Sequence, residues 1–243
     1  MSLDIQLVEA LNQFSRSVPP IDVLIVFITH SYLFKGGVMM TFLWWGWFRD
    51  HPDQERQRQL LMSVLFAALA SLVAARALAW ALPFRTRPIN DPAVDMVLPI
   101  GMPPAALSGW SSFPSDHAAL FGCLASGMFL VSKRAGVAAT AYCIAVIMLP
   151  RVYCGFHYPS DLVAGYLLGA LLTWIISREI SMQRIVQPVY GWFKRRPGLW
   201  YPLFFLLSYL IVTLFDDVRN LGTLCYMILE RLLAGNHTII NVN

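Results

Sequence analysis

The sequence predicts an all-α integral membrane protein with about six transmembrane helices and a short amphipathic helix at each end. Three observations predict it. Hydrophobic residues make up 57% of the 243 and charged residues only 13%, about half the ~25% usual in soluble domains. Mean hydropathy is +0.58. Apolar runs recur between short polar loops, and ~20 apolar residues make one crossing. This length gives one membrane domain over residues 1–243 and no room for a separate soluble one.

Leu3, Leu7, Leu11 and Phe14 recur at helical spacing, so residues 3–15 form an amphipathic helix in the interface, ended by Pro19-Pro20. The first span, residues 31–48, closes on the aromatic run FLWWGWF, a composition suited to the interface. The second, 60–82, is broken by Pro83. The remaining four lie at 116–132, 135–152, 161–177 and 199–215. Residues 216–235 bring Leu221, Leu224, Ile228 and Leu232 to one helical face and form a second interfacial helix. Asn236-His237-Thr238 matches a glycosylation acceptor, a short and unspecific pattern. Cys123, Cys143, Cys154 and Cys225 show no CxxC spacing and are read as small packing residues. Asp4 and Glu9, with no basic run before an apolar core, argue against a cleaved signal peptide.

The net charge of +4 reflects loop Lys and Arg and carries no nucleic-acid signal. Loops 49–59, 133–134 and 178–197 hold ten of these residues and the opposite set holds six. The bias places the first set in the cytoplasm and both termini outside. Lys35 and Arg76 lie within spans. The expected setting is the inner (cytoplasmic) membrane, multi-pass, with segments 83–117 and 151–161 facing the periplasm or exterior.

Those two outward segments collect the chemistry. In RVYCGFHYPSD, His157 and Asp161 are four apart, so a carboxylate at a helix start can fix the imidazole tautomer and leave one nitrogen free as base or nucleophile. In FPSDHAALF, Ser115 is a candidate N-cap, and His117 stands where free backbone N–H groups favour an anion. In PFRTRP, Arg85 and Arg87 offer planar forks for phosphate oxygens. Singly, each block also reads as a helix cap or a solvated loop. Together, cations, two histidines and a carboxylate at one membrane depth fit phosphoryl transfer.

The blocks resemble the signature of the type 2 phosphatidic acid phosphatase superfamily over residues 76–169. Pro114-Ser115-Asp116-His117 stands for its Pro-Ser-Gly-His. Arg151, five residues, His157, three residues, Asp161 keeps the third block, and Arg87-Pro88 keeps the end of the first. Asp116 replaces a glycine, Pro150 a serine, and Trp80 the first-block lysine, for which Arg85 and Arg76 are candidate substitutes. The resemblance implies a phosphatase acting without metal or cofactor on a lipid phosphate or diphosphate, undecaprenyl pyrophosphate being favoured. Phosphatidylglycerol phosphate, phosphatidic acid and lipid A phosphate are the alternatives. It implies His157 as nucleophile, Asp161 as its orienting acid, and His117 as proton donor. Arg87, Arg151, Ser115 and the backbone at Asp116 would hold the phosphate. A phosphate-binding transporter without turnover is the reading from another class.

Overall fold

The structure is a computed structural model describing residues 2–103 and 106–237, with side chains as far as Arg231; Thr238 of the glycosylation pattern and the side chain of Leu232 lie outside the described residues. Those residues form helices and turns, with no strand among them. Helix α1 (Leu3–Asn12) starts on Ser2, whose Oγ accepts from Ile5 N at 3.4 Å. Helix α1 stops at Asn12, short of the expected residue 15, and the two prolines expected to end it instead open α2 (Pro19–His30), because proline's fixed φ suits the first helical position. A π-helical turn at Leu33–Gly37 leads into α3 (Val38–Phe48). The expected span at 31–48 is thus the Leu33–Phe48 helix, and α2 precedes it at an angle of 67° across the break at residues 31–32. Asp53 caps α4 (Gln54–Ala81), accepting from Arg56 N at 3.1 Å.

Residues 82–115 carry one short 3₁₀ turn at Pro88–Asn90 before α5 (Asp116–Met128) begins. Then come α6 (Lys133–Tyr153), with a π-helical turn at Cys143–Met148, and α7 (Pro159–Ile176). Helices α8 (Gln187–Arg195), α9 (Pro197–Val212) and α10 (Asp216–His237) complete the chain, α10 turning 81° from α9.

Helices α4, α6 and α7 are long and apolar enough to cross a membrane, and the count reaches five if each bent pair is one span. The difference from six lies in α5. Its 13 residues rise about 20 Å at 1.5 Å per residue, short of a ~30 Å hydrocarbon layer. Apolar composition alone does not separate a span from a buried core helix. Here every residue from Ala118 to Ala125 is buried, so α5 is the packed centre of the bundle.

Small residues let α7 close onto α5. A Cβ at Gly165 would lie 2.4 Å from the Ser115 carbonyl oxygen, and one at Gly169 would lie 2.1 Å from that of Ala119. This is backbone-to-backbone packing through small residues one turn apart. It fixes the first turn of α5 against the second and third turns of α7, next to both motif blocks. At one end of the bundle Arg56 pairs with Glu179 at 2.9 Å and Lys194 with Glu55, so loops 49–59 and 178–197 meet. At the other, Arg85 reaches Asp4, Ser160 and Asp161, joining α1 to both motif segments.

Candidate active site

Three separate segments are stitched together by main-chain hydrogen bonds. Ile89 N donates to Gly155 O at 2.9 Å, Ser112 N to Arg85 O at 2.8 Å, and Ser115 N to Asp161 O at 3.2 Å. Gly155 adopts φ +69°, which glycine takes without steric cost, and turns the chain so that Phe156 and His157 face residues 87–90. A cavity of about 550 Å³ opens at this junction. Arg87, Asp116, His117, Arg151 and His157 line it, as do Lys35, Arg76 and Arg219.

His157 is 3% exposed and held at both ring nitrogens. Its Nδ1 lies 2.9 Å from the Ser112 carbonyl oxygen, which only accepts, so Nδ1 carries the proton. Its Nε2 lies 3.2 Å from Arg87 Nη1, which only donates, so Nε2 keeps its lone pair. The two contacts select one neutral tautomer. Burial pushes the His157 pKa below its ordinary 6.5; Asp161 opposes this and the Arg87 guanidinium reinforces it.

This corrects one expectation. The tautomer is fixed by the Ser112 carbonyl, and Asp161 Oδ2 stands 3.8 Å from Nδ1, beyond hydrogen-bonding reach. Asp161 is fully buried and accepts from Tyr158 N at 2.9 Å, from the Ser112 hydroxyl and from Arg85. It closes the start of α7 and holds the Ser112 loop whose carbonyl orients His157. Nothing in the residue pattern pointed to Ser112, because the contact is made by a loop carbonyl forty-five residues away.

His117 stands in the first turn of α5, its Nδ1 2.9 Å from Asp116 Oδ1. The other Asp116 oxygen meets Arg76 Nη2 at 2.5 Å. The carboxylate that replaces a glycine is thus neutralised by Arg76 and holds the His117 ring. Arg87 is fixed by three carbonyls, of Trp110 (3.1 Å), Phe156 (2.7 Å) and Ser111 (3.1 Å). Arg151 donates to Ile147 O at 2.9 Å and still borders the cavity.

Two further expectations change. Ser115 does not line the cavity: it is fully buried, and its Oγ caps α5 by accepting from Ala118 N at 3.3 Å. Arg85 does not line it either. Its guanidinium is engaged by Asp161, Asp4 (2.7 Å) and Ser160 (2.9 Å) and lies over the Tyr158 ring. Trp80 is 83% exposed and faces outward. Lys35 is a cavity residue the motif pattern missed; the available signal was a lone lysine inside an apolar span. Among the described residues no group of three His, Cys, Asp or Glu side chains is placed to hold a metal ion.

A second groove of about 390 Å³ shares Arg76, Leu214 and Arg219 with the cavity. Leu69, Leu72, Val73, Ala77 and Trp80 form its α4 wall and Leu214 and Phe215 the other, so it is mostly apolar and opens toward the lipid-facing side of α4.

The chain is similar to known proteins. It is 43% identical over 61 residues to "Bacitracin transport permease protein BcrC" of Bacillus licheniformis, covering 25% of this chain and 30% of that one. It is 34% identical over 136 residues to "Lipid A 1-phosphatase" of Rhizobium johnstonii, covering 55% and 52%. These matches thus span about a third and about half of the two relatives' lengths. It is 27% identical over 208 residues to "Putative undecaprenyl-diphosphatase YbjG" of Escherichia coli, covering 85% and 94%. The fold matches the crystal structure of Aquifex aeolicus LpxE with a TM-score of 0.51 at 23% identity, over 73% of this chain and 95% of that one. Residues 59–185, just over half of the sequence and the stretch that builds most of this cavity, match the sequence model of the PAP2 superfamily, and the chain belongs to that superfamily.

Proposed function

We propose that the protein is a metal-independent membrane lipid phosphatase that cleaves a lipid phosphate or diphosphate through a phosphohistidine. The observation that carries this is a single cavity holding a lone pair on His157 Nε2, a second histidine and several cations, with an apolar groove opening from it. His157 Nε2 would attack the terminal phosphorus, forming an N–P bond as the P–O bond to the leaving group breaks, that group being the lipid alcohol of a monophosphate or the lipid phosphate of a diphosphate. His117 would give its proton to the departing oxygen. A water would then attack the phosphohistidine, returning its proton to His117, releasing phosphate and restoring His157. Arg87 and Arg151 would hold the equatorial oxygens, their fixed charges balancing the loose transition state without a metal. Asp161 acts through the Ser112 loop as a positioning residue.

The favoured reaction is undecaprenyl pyrophosphate to undecaprenyl phosphate. Its support is the Escherichia coli relative named for that activity, which matches over most of both lengths. The proposed setting is the inner membrane with the cavity facing the periplasm or exterior, supported by the ten-to-six bias of Lys and Arg toward the opposite loops.

The test is phosphate release by detergent-solubilised protein from undecaprenyl pyrophosphate, lipid A, phosphatidylglycerol phosphate and phosphatidic acid, with His157→Ala beside wild type. Wild type is expected to favour undecaprenyl pyrophosphate and His157→Ala to lose at least about 10³-fold. Robust release by the variant would overturn the mechanism. No release by wild type from any substrate would favour phosphate binding without turnover.

A further inference from the structure

We infer that Lys35 is an anion-binding residue of the cavity and takes an unesterified oxygen of the bound phosphate. It deepens the phosphatase reading, since it rests on the same cavity.

The other cavity cations are each engaged by protein groups. Arg76 is paired with Asp116 at 2.5 Å and Arg219 with Asp216 at 2.7 Å. Arg87 and Arg151 are held by main-chain carbonyls. Lys35 differs. It is 4% exposed, yet among the described residues its Nζ meets no carboxylate within 4 Å and donates no hydrogen bond. Its near neighbour is the face of the Tyr32 ring, 4.7 Å away. An ammonium taken from water with no carboxylate in contact is destabilised, and a cation–π contact offsets only part of that. A phosphate in the cavity supplies what the protein does not.

The backbone holds the lysine there. Lys35 lies in the π-helical turn Leu33–Gly37, a distortion that is frequent at functional sites. A Cβ at the adjacent Gly36 would lie 2.8 Å from the Val212 side chain, so α9 packs directly onto this turn. The turn is clamped with Lys35 beside the cavity. Arg85, the substitute cation suggested by sequence proximity, is meanwhile occupied by carboxylates outside it.

The experiment measures thermal unfolding of wild type, Lys35→Met and Lys35→Gln in detergent, with and without inorganic phosphate, and then KM and kcat on the lipid substrate. Without phosphate, Lys35→Met is expected to melt above wild type, because an unpaired charge is gone. Phosphate is expected to raise the Tm of wild type and hardly that of the variants. Loss of one charge-assisted contact should weaken phosphate binding about 10- to 100-fold and raise KM for the lipid by a similar factor, with kcat less affected. Folded variants that keep both the wild-type phosphate shift and the wild-type KM would overturn the inference. So would failure of both variants to fold, since that makes Lys35 structural. A shift lost with free phosphate but an unchanged lipid KM would overturn the headgroup assignment and leave a site for the free anion. The melting arm needs no turnover. A wild type that hydrolyses no lipid but shows a Lys35-dependent phosphate shift would keep this inference and remove the catalytic reading.

Discussion

Replacing Gly165 by alanine adds one methyl group where α7 meets the start of α5 beside the cavity. The new Cβ would lie 2.4 Å from the Ser115 carbonyl oxygen, 3.0 Å from Ala118 Cβ and 3.2 Å from Ala119 N. Two of these atoms are main chain, so no side chain can rotate away. Restoring an ordinary contact at the carbonyl moves α7 from α5 by about 1 Å. His117 rides on the first turn of α5, and His157 directly precedes α7, so the histidines separate by a comparable amount. A misplacement of about 1 Å can cost on the order of 10²-fold in rate. Overpacking of this kind costs about 1–3 kcal/mol, or roughly 2–10 °C in Tm for a chain of this size. Phosphate release under saturating lipid, with a melting curve on the same preparation, reads both numbers. Gly191→Ala is the control, because a Cβ there meets nothing within 4 Å. A Gly165→Ala protein with wild-type kcat and Tm would show that the helix contact does not set the histidine geometry.

The remaining predictions follow from individual contacts. Protonating His157 fills the lone pair it needs, and its pKa lies below 6.5, so kcat/KM should stay high down through pH 6.5 and fall only at lower pH. Arg87→Met removes a charge that opposes protonation, so the residual activity should show its acid limb shifted upward; an unmoved limb would mean that the titrating group is elsewhere. Arg85→Met leaves Asp161 without its cation and Asp4 with only its Ser160 hydrogen bonds, so it should lower stability by about 1–3 kcal/mol while raising KM less than Arg87→Met does. Equal KM effects would return Arg85 to the phosphate site. Ala77→Trp fills the apolar groove and should raise KM for the lipid several-fold or more without changing that for a water-soluble phosphate ester; parallel changes would remove the groove from lipid binding.

The helical frame and the meeting of the two histidine blocks were legible because both are written in local pattern. Apolar runs mark the helices, and the spacing of Arg151, His157 and Asp161 survives across the short turn from the end of α6 to the first turn of α7. What sequence hid depends on contacts between distant segments. The Ser112 carbonyl that sets the His157 tautomer has no side-chain signature. Lys35 reaches the cavity only through a π-helical turn clamped by α9, a register change that periodicity does not show. Arg85 was a candidate for the missing first-block cation, but it is turned away by Asp4 and Asp161, carboxylates distant in sequence that no local pattern shows. Arg87 enters the cavity and Arg85 turns to α1. Helix α5 ends at Met128, four residues before the expected 132, and its apolar composition reflects burial in the bundle.

The tie between α1 and the start of α7 has a consequence for how the protein is made. Asp4 accepts from the main chain of Ser160 at 3.0 Å, across 156 positions of sequence. At ~5–20 residues per second, ribosomes need on the order of 10–30 s between those two residues. For that time α1 has no docking partner there. It must wait at the membrane surface while the other helices insert, and its docking is a late step of biogenesis. A bulky fusion ahead of Ser2 would therefore delay maturation more than the same fusion on a helix that packs against its immediate neighbour.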